Sequence, residues 1–410
     1  MNDEQSIGRG LGSHLSGSKE FAQSDFVILS WLAAGNTADI FLVRNEERNY
    51  VCVAKIASAD LLSDREKSAR FMREIECHRI IGGRAGIVPL IGFGRKFSPA
   101  IPRPFLVLPK AFPASDVLHR VWSKGVAPPL EYVQGVLIGH GSLVKQNMLH
   151  RDIKVENSLI GTDSFGMVAD FGRAVNLSFK FTAEDFAFGD PRFAAPQTLL
   201  LREQVTELEL EHIESVGLIY LLLEMVTGLP VGSALIADPV GTTNRAKLME
   251  ASDRVGSLES IFPDYLSGLL ALIRLLPSEL VGRRAADFML DVVRAGPGHY
   301  SRSHVLDAAL QFIDDGQINT SQTGSSNGST RAGIVSTTRS KSSFPAYVSS
   351  AASDCERWPD SAVAWVRFAQ AASAIGEIAI RTRAASNARG MAAMGPEWQK
   401  KLVGWATRTY

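Results

Sequence analysis

Between His150 and Gly172 the chain sets chemistry-bearing residues in a fixed order: His150-Arg151-Asp152-Ile153-Lys154-Val155-Glu156-Asn157 and, thirteen residues after that asparagine, Asp170-Phe171-Gly172. The apolar stretches around them, Met148-Leu149 before, then Ser158-Leu159-Ile160 and Gly166-Met167-Val168-Ala169, predict short strands. The polar residues therefore fall on the loops between strands. This set suits phosphoryl transfer, which needs a carboxylate to orient the attacking hydroxyl, oxygen ligands for Mg²⁺ on the phosphates, and cations to offset charge on the equatorial oxygens.

These two segments resemble the catalytic loop and the metal-binding turn of eukaryotic-type serine/threonine protein kinases. The resemblance extends upstream in the same order. Tyr50-Val51-Cys52-Val53-Ala54-Lys55-Ile56 is a β-rich run ending in the Val-Ala-Lys form of the family's third strand. It implies that Lys55 holds the α and β phosphates of ATP, with Ala54 beside the base. The segment from Ser63 to Ile81 has helical apolar spacing at Phe71, Ile75 and His78/Ile81, and Arg73-Glu74-Ile75 matches the helix glutamate that positions the strand lysine. Glu74 is preferred over Glu76, which falls nearer the opposite face of the helix.

The resemblance implies an α+β, two-lobed kinase fold over residues 25–315, with a small β-rich lobe at 25–109 and a larger helical lobe at 110–315. Residues 1–24 read as a flexible polar leader, 316–345 as a Ser/Thr/Gly-rich linker open to autophosphorylation, and 346–410 as a helical C-terminal region. Two further strands are predicted at Val88-Pro89-Leu90-Ile91 and Phe105-Leu106-Val107-Leu108, where Leu108 takes the family's gating position at the back of the nucleotide pocket. In the C-terminal region one helix is expected from Ser361 through Ile380 and another from Pro396 to Thr407. Their tryptophans pack on each other, on the large lobe, or on a partner protein.

Composition excludes several other classes. With 410 residues, 45% of them hydrophobic, and equal numbers of basic and acidic side chains, the chain suits neither a general nucleic-acid binder nor a membrane-surface binder. Three cysteines at 52, 77 and 355 lack metal-type spacing, so a reducing, cytoplasmic setting is expected. No secretory signal is legible at the N-terminus. The most apolar run, Leu218 to Met225, is far too short to span a bilayer and contains Glu224, which reads as a buried helix.

Four positions depart from the family pattern. In the nucleotide loop, Leu32-Ala33-Ala34-Gly35-Asn36-Thr37-Ala38-Asp39-Ile40, only the middle glycine, Gly35, remains of the three that let backbone amides approach phosphates. Leu32 and Ile40 are the flanking contacts that the resemblance implies. Asp190 stands where a Thr is common and adds a carboxylate near Asp152, which repels unless Lys154 lies between. Gln197 replaces the glutamate that pairs with a buried arginine, matched here by Arg283, which is left to find a partner such as Asp287. The run Glu214-Ser215-Val216-Gly217-Leu218-Ile219-Tyr220 aligns with the family's central helix and places His212 at an aspartate that accepts backbone N–H bonds from the catalytic loop. A neutral imidazole accepts one such bond and a protonated one none, which predicts loss of loop order and activity below about pH 6.5.

Carried over residue by residue, the resemblance gives Asp152, Lys154 and Asn157 as catalytic residues and Asn157 with Asp170 as Mg²⁺ ligands. Leu32, Gly35, Ile40, Ala54, Lys55, Glu74 and Leu108 contact or position ATP, and the acceptors are Ser or Thr hydroxyls of proteins. Arg151 implies a negatively charged partner on the activation segment, either phosphorylated Ser178 or Thr182, or a permanent charge from Glu184, Asp185 or Asp190. The competing function is a pseudokinase-like, nucleotide-binding scaffold. A small-molecule kinase of the same fold is a third reading, which Lys154 and Ala195-Pro196-Gln197 disfavour.

Overall fold

The protein is described by a computed structural model that covers residues 19–21, 26–35, 37–62, 64–178, 206–229, 272–276, 278, 280–320, 346–374 and 377–407. Asn36, the segment with Asp190 and Gln197, and most of the Ser/Thr/Gly-rich stretch lie outside these residues. The fold is α+β: a β-sheet lobe and a helical region, followed by C-terminal helices.

The sheet has six strands, β1 (Lys19–Phe21), β2 (Phe26–Ala34), β3 (Ala38–Asn45), β4 (Tyr50–Ala57), β5 (Gly92–Gly94) and β6 (Phe105–Pro109), in the order β1-β5-β6-β4-β3-β2. The β3–β4 hairpin turns at Glu46 to Asn49, where Asn45 Oδ1 accepts from Arg48 N at 2.7 Å and Asn49 takes φ 49°. Phe26, Val43, Cys52, Ile56, Phe105 and Val107 form the core beneath. Two expectations change here. Lys19–Phe21, read as flexible leader, pairs in parallel with Gly92–Gly94. The strand expected at 88–91 forms instead at 92–94, because Pro89 has no N–H to give a ladder, although Val88 N and Ile91 N still bond Val168 O and Val107 O. The β2–β3 ladder contains register shifts between Ile28 and Ser30 and between Trp31 and Ala33.

Helix α1 (Arg65–Ile81) starts where Asp64 Oδ1 accepts from Lys67 N at 3.0 Å and stops at Gly82, whose N–H bonds His78 O. Helices α2 (Ala114–Trp122) and α3 (Leu130–Val144) follow, with the short strands β7 (Phe112–Pro113), β8 (Met148–Leu149), β9 (Ser158–Ile160), β10 (Gly166–Val168) and β11 (Val175–Asn176). The strands read around the two loops are thus β8, β9 and β10. Helix α3 packs through glycine: a Cβ on Gly135 would lie under 3.0 Å from Gly166 O, and one on Gly139 under 3.0 Å from Gly86 O. Backbone meets backbone there with no space for a methyl group.

Helix α4 (Glu207–Thr227) opens on a capping box, since Thr206 Oγ1 accepts from Glu209 N at 3.2 Å while Glu209 Oε2 accepts from Thr206 N at 2.7 Å. Most of its residues from Leu210 onward are buried, in keeping with the buried reading of Leu218 to Met225. Among the described residues no helix is long and apolar enough to cross a membrane. Helices α5 (Arg283–Arg294) and α6 (Arg302–Asp314) come next. The C-terminal region then forms α7 (Ala346–Arg357), α8 (Ala362–Ala374), α9 (Ile378–Ala392) and α10 (Glu397–Ala406). In place of the single helix expected from Ser361 to Ile380 there are therefore two, α8 ending at Ala374 and α9 starting at Ile378. The sequence between them contains Gly376, a residue type that costs about 1 kcal/mol relative to alanine in a helix interior.

The chain gathers into two compact units: residues 1–117, 131–222 and 291–315, and residues 118–130, 223–290 and 316–410. One break of this division falls at 315/316, and another falls at 117/118, eight residues after the lobe boundary expected at 109/110. In the second unit the start of the expected linker is pinned, with Gly282 N donating to Gln317 O and Asn319 N to Leu280 O. The three cysteines are free and buried, and burial pushes the thiols of Cys52 and Cys77 up to about 12.

Candidate active site

Strand β4 places Lys55 opposite Ile40 and Leu106, and α1 brings Glu74 over it. Lys55 Nζ lies 2.6 and 2.8 Å from the Glu74 carboxylate oxygens and 3.4 Å from Asp170 Oδ1. Glu76 instead faces solvent and pairs with Arg79 at 2.7 Å. Burial opposes the charge on Lys55, but Asp170 and Glu74 outweigh it and raise its pKa. Burial lifts the Glu74 carboxyl above its usual range, with Lys55 pulling it back. Lys55 holds the Asp170 carboxyl down at about 2. Asp170 takes φ 61° and keeps its side chain 49% exposed, so strained backbone aims an ionised carboxylate outward.

The second cluster lies on the loop after β8. Lys154 Nζ donates to Asp152 Oδ2 at 2.9 Å, and Asn157 Nδ2 donates to Asp152 O at 2.7 Å and to Asp152 Oδ2 at 2.9 Å. Burial works to raise the Asp152 pKa, but Lys154 and these hydrogen bonds prevail and lower it. The side chain of Lys154 thus sits against Asp152, while Asp190, the carboxylate it was expected to separate from Asp152, lies outside the described residues. His150 joins the two loops: its Nδ1 accepts from Asp152 N at 3.3 Å, which leaves Nε2–H to donate to Ala169 O at 3.0 Å. Phe171 also lies between the two histidines, tilted against His150 with centroids 5.5 Å apart and edge-on to His78 at 4.8 Å. Burial drives the His78 pKa down to about 3, so it meets Phe171 as a neutral ring.

The nucleotide-loop residues lie at the β2–β3 hairpin, closed by Gly35 N donating to Ala38 O at 2.7 Å. Leu32 is exposed, Ile40 half-buried and Ala54 fully buried. Leu108 is buried on β6 opposite Val53.

Two residues aligned with the family prove to do other work. Glu214, not His212, holds the loop: its Oε2 accepts from His150 N at 3.0 Å and its Oε1 from Arg151 N at 2.6 Å. Arg151 needs that support, since it takes φ 64°. His212 is buried with Nδ1 unbonded, and burial together with His299 lowers its pKa, so titration near pH 6.5 does not loosen the loop through it. A carboxylate inside an apolar helix was the signal for Glu214, because a buried charge must have partners. The second residue is Arg283, expected to be buried. Its side chain is 94% exposed and 3.8 Å from Asp287. Arg302 and Arg367 are buried arginines, and Arg302 bonds Met148 O and pairs with Glu211 at 2.5 Å.

We expect Glu214→Ala to lower stability by about 3 kcal/mol or more, since hydrogen bonds to a charged group contribute roughly 1.5–3 kcal/mol each. Glu214→Gln should fall between, and His212→Asn, which removes no hydrogen bond from the loop and buries no charge, should cost less than Glu214→Ala. Thermal unfolding of the three variants checks this ordering, and an unperturbed Glu214→Ala would contradict it.

A carboxylate at Asp152 is flanked by a cation, and a second carboxylate at Asp170 sits beside Lys55. Hard oxygen donors on Asp170 and Asn157 suit a divalent ion that also takes phosphate oxygens. Among the described residues no group of three or more His, Cys, Asp or Glu could hold a metal without such help.

Comparison with known proteins agrees. A protein kinase domain profile matches residues 26–269. The chain is 24% identical to an Aurora kinase of Saccharomyces cerevisiae over 221 residues, 52% of this chain and 55% of that one. An Aurora kinase of Encephalitozoon cuniculi is 28% identical over 37% of this chain and 54% of its own. The serine/threonine-protein kinase SCH9 of Candida albicans is 23% identical over 51% of this chain and 26% of its own length. The chain thus spans about half, or less, of the relatives it matches. A profile that covers more than half of the chain, over the sheet lobe and the paired loops just described, places the chain in the protein kinase family.

Proposed function

We propose that this chain is an active protein kinase that transfers the γ-phosphate of Mg-ATP to Ser or Thr hydroxyls of protein substrates and of itself. The observation that carries the proposal is the intact double cluster: Lys55 with Glu74 and Asp170, and Asp152 with Lys154 and Asn157. In this reading Asp152 orients the acceptor hydroxyl and takes its proton as the new oxygen–phosphorus bond forms and the bond to the β-phosphate oxygen breaks. Lys154 neutralises the γ-phosphoryl oxygens, Lys55 holds the α and β phosphates, and Glu74 positions Lys55. Asn157 and Asp170 would hold Mg²⁺, which supplies charge neutralisation at the phosphates. Leu32, Gly35, Ile40, Ala54 and Leu108 would line the nucleotide. Ser/Thr acceptors are supported by Lys154 two residues after Asp152 and by the named activity of SCH9.

One observation favours a second reading, nucleotide binding with little catalysis. The hairpin that would cover ATP retains only Gly35 of its glycines, and a Cβ even there would lie 3.1 Å from Ala38 O. The deciding experiment measures transfer of labelled γ-phosphate from Mg-ATP to the purified protein and to a basic Ser/Thr substrate, followed by phosphoamino-acid analysis. Phosphoserine or phosphothreonine is expected. ATP binding without transfer would establish the scaffold reading instead.

A further inference from the structure

The second compact unit takes residues 118–130 and 223–269 out of the stretch matched to the kinase domain and groups them with the C-terminal helices. The contacts explain that grouping. Arg367 of α8 is fully buried and donates from Nη1 to Glu224 Oε1 at 2.8 Å and to Gly228 O at 3.2 Å. Its guanidinium lies 5.6 Å from the Trp122 ring centroid. Gln399 of α10 donates to Trp122 O at 2.9 Å, and Trp122 Nε1 donates to Met225 O at 2.9 Å. Arg120 lies over Trp358 at 5.3 Å. Gly125 meets Pro396, and Gly228, at φ 75°, meets both Trp122 and Val363, so closely that neither could carry a Cβ.

We infer that residues 346–407 are a constitutive partner of the kinase domain, docked in cis on segments 118–130 and 223–229, with Arg367 as a counter-ion of Glu224. Glu224 and Arg367 side chains are each 2% exposed. A carboxylate at that depth is tolerated only when paired, and the C-terminal helices supply a buried cation to it, so removing them would strip a charge partner from the domain's interior. Helix α4 carries both Glu214, which grips the 150–152 loop, and Glu224 ten residues later. The helix that anchors the site therefore draws its counter-ion from the far end of the sequence.

A full-length chain with a specific protease site inserted within residues 321–345 tests this. After complete cutting, the C-terminal fragment should co-elute with the remainder on gel filtration at micromolar concentration, and γ-phosphate labelling should continue at the uncut rate. Arg367→Met should release the fragment after cutting, and Glu224→Met with Arg367→Met should retain it, because a neutral pair needs no counter-ion. Release of the fragment by the wild-type chain overturns the inference, as does retention by Arg367→Met to the wild-type extent. The labelling arm rests on the proposed kinase activity and the elution arm does not, so a chain that never labels still reports whether the helices dock.

Discussion

Asp152→Asn should lower γ-phosphate transfer roughly a thousandfold, the middle of the range for losing a positioned proton acceptor, while leaving the fold in place. The side chain keeps its volume, and its carbonyl oxygen can still accept from Lys154 and Asn157, which now lie 2.9 Å from Asp152 Oδ2. What disappears is the charge that Lys154 holds ionised and the capacity to take a hydroxyl proton. Lys55→Met should be as damaging to transfer, but it also strands Glu74, whose side chain is only 3% exposed, so stability falls with it. Comparing the two by turnover and by thermal unfolding separates chemistry from folding. Transfer by Asp152→Asn within tenfold of wild type would remove Asp152 from the role of base.

A stability loss as large as that of Glu214→Ala should come from one methyl group. In Gly139→Ala the new carbon would be driven into Gly86 O on one side and the Val168 side chain on the other. Overpacking of a core costs about 1–3 kcal/mol where side chains can move aside. Here the first obstacle is a carbonyl on a turn that is itself fixed, since Gly86 sits at φ 72° and its carbonyl accepts from Val168 N at 2.8 Å. The cost should reach or exceed the top of that range. Gly141→Ala on the same helix has nothing within 4 Å of the new carbon and should be neutral or slightly stabilising. Denaturant midpoints of the two variants measure the contrast, and equal values would refute the backbone-contact account.

The paired loops, the strand lysine and the helix glutamate were legible because each lies in a short, ordered motif whose chemistry fixes residue type as well as spacing. Glu74 could be chosen over Glu76 from helical phase alone, and the pairs with Lys55 and Arg79 follow that phase. His212 misled because alignment counts positions, whereas a loop amide is satisfied by whichever acceptor reaches it. The longer glutamate side chain two residues on does so. Arg367 carries no local signal of any kind. Its partner is 143 residues away, and only packing could bring them together.

The free edge of the sheet has a consequence for how the protein behaves in concentrated solution. Among the described strands β2 ends the sheet, and it displays Val27, Leu29, Trp31 and Leu32 to solvent, with Trp31 59% exposed. A straight edge with such side chains is a template on which a strand from another molecule can add. Two register shifts within nine residues twist this edge and break its hydrogen-bonding rhythm. The irregular pairing that weakens the hairpin locally thus makes this apolar border a poorer template for a strand from another molecule.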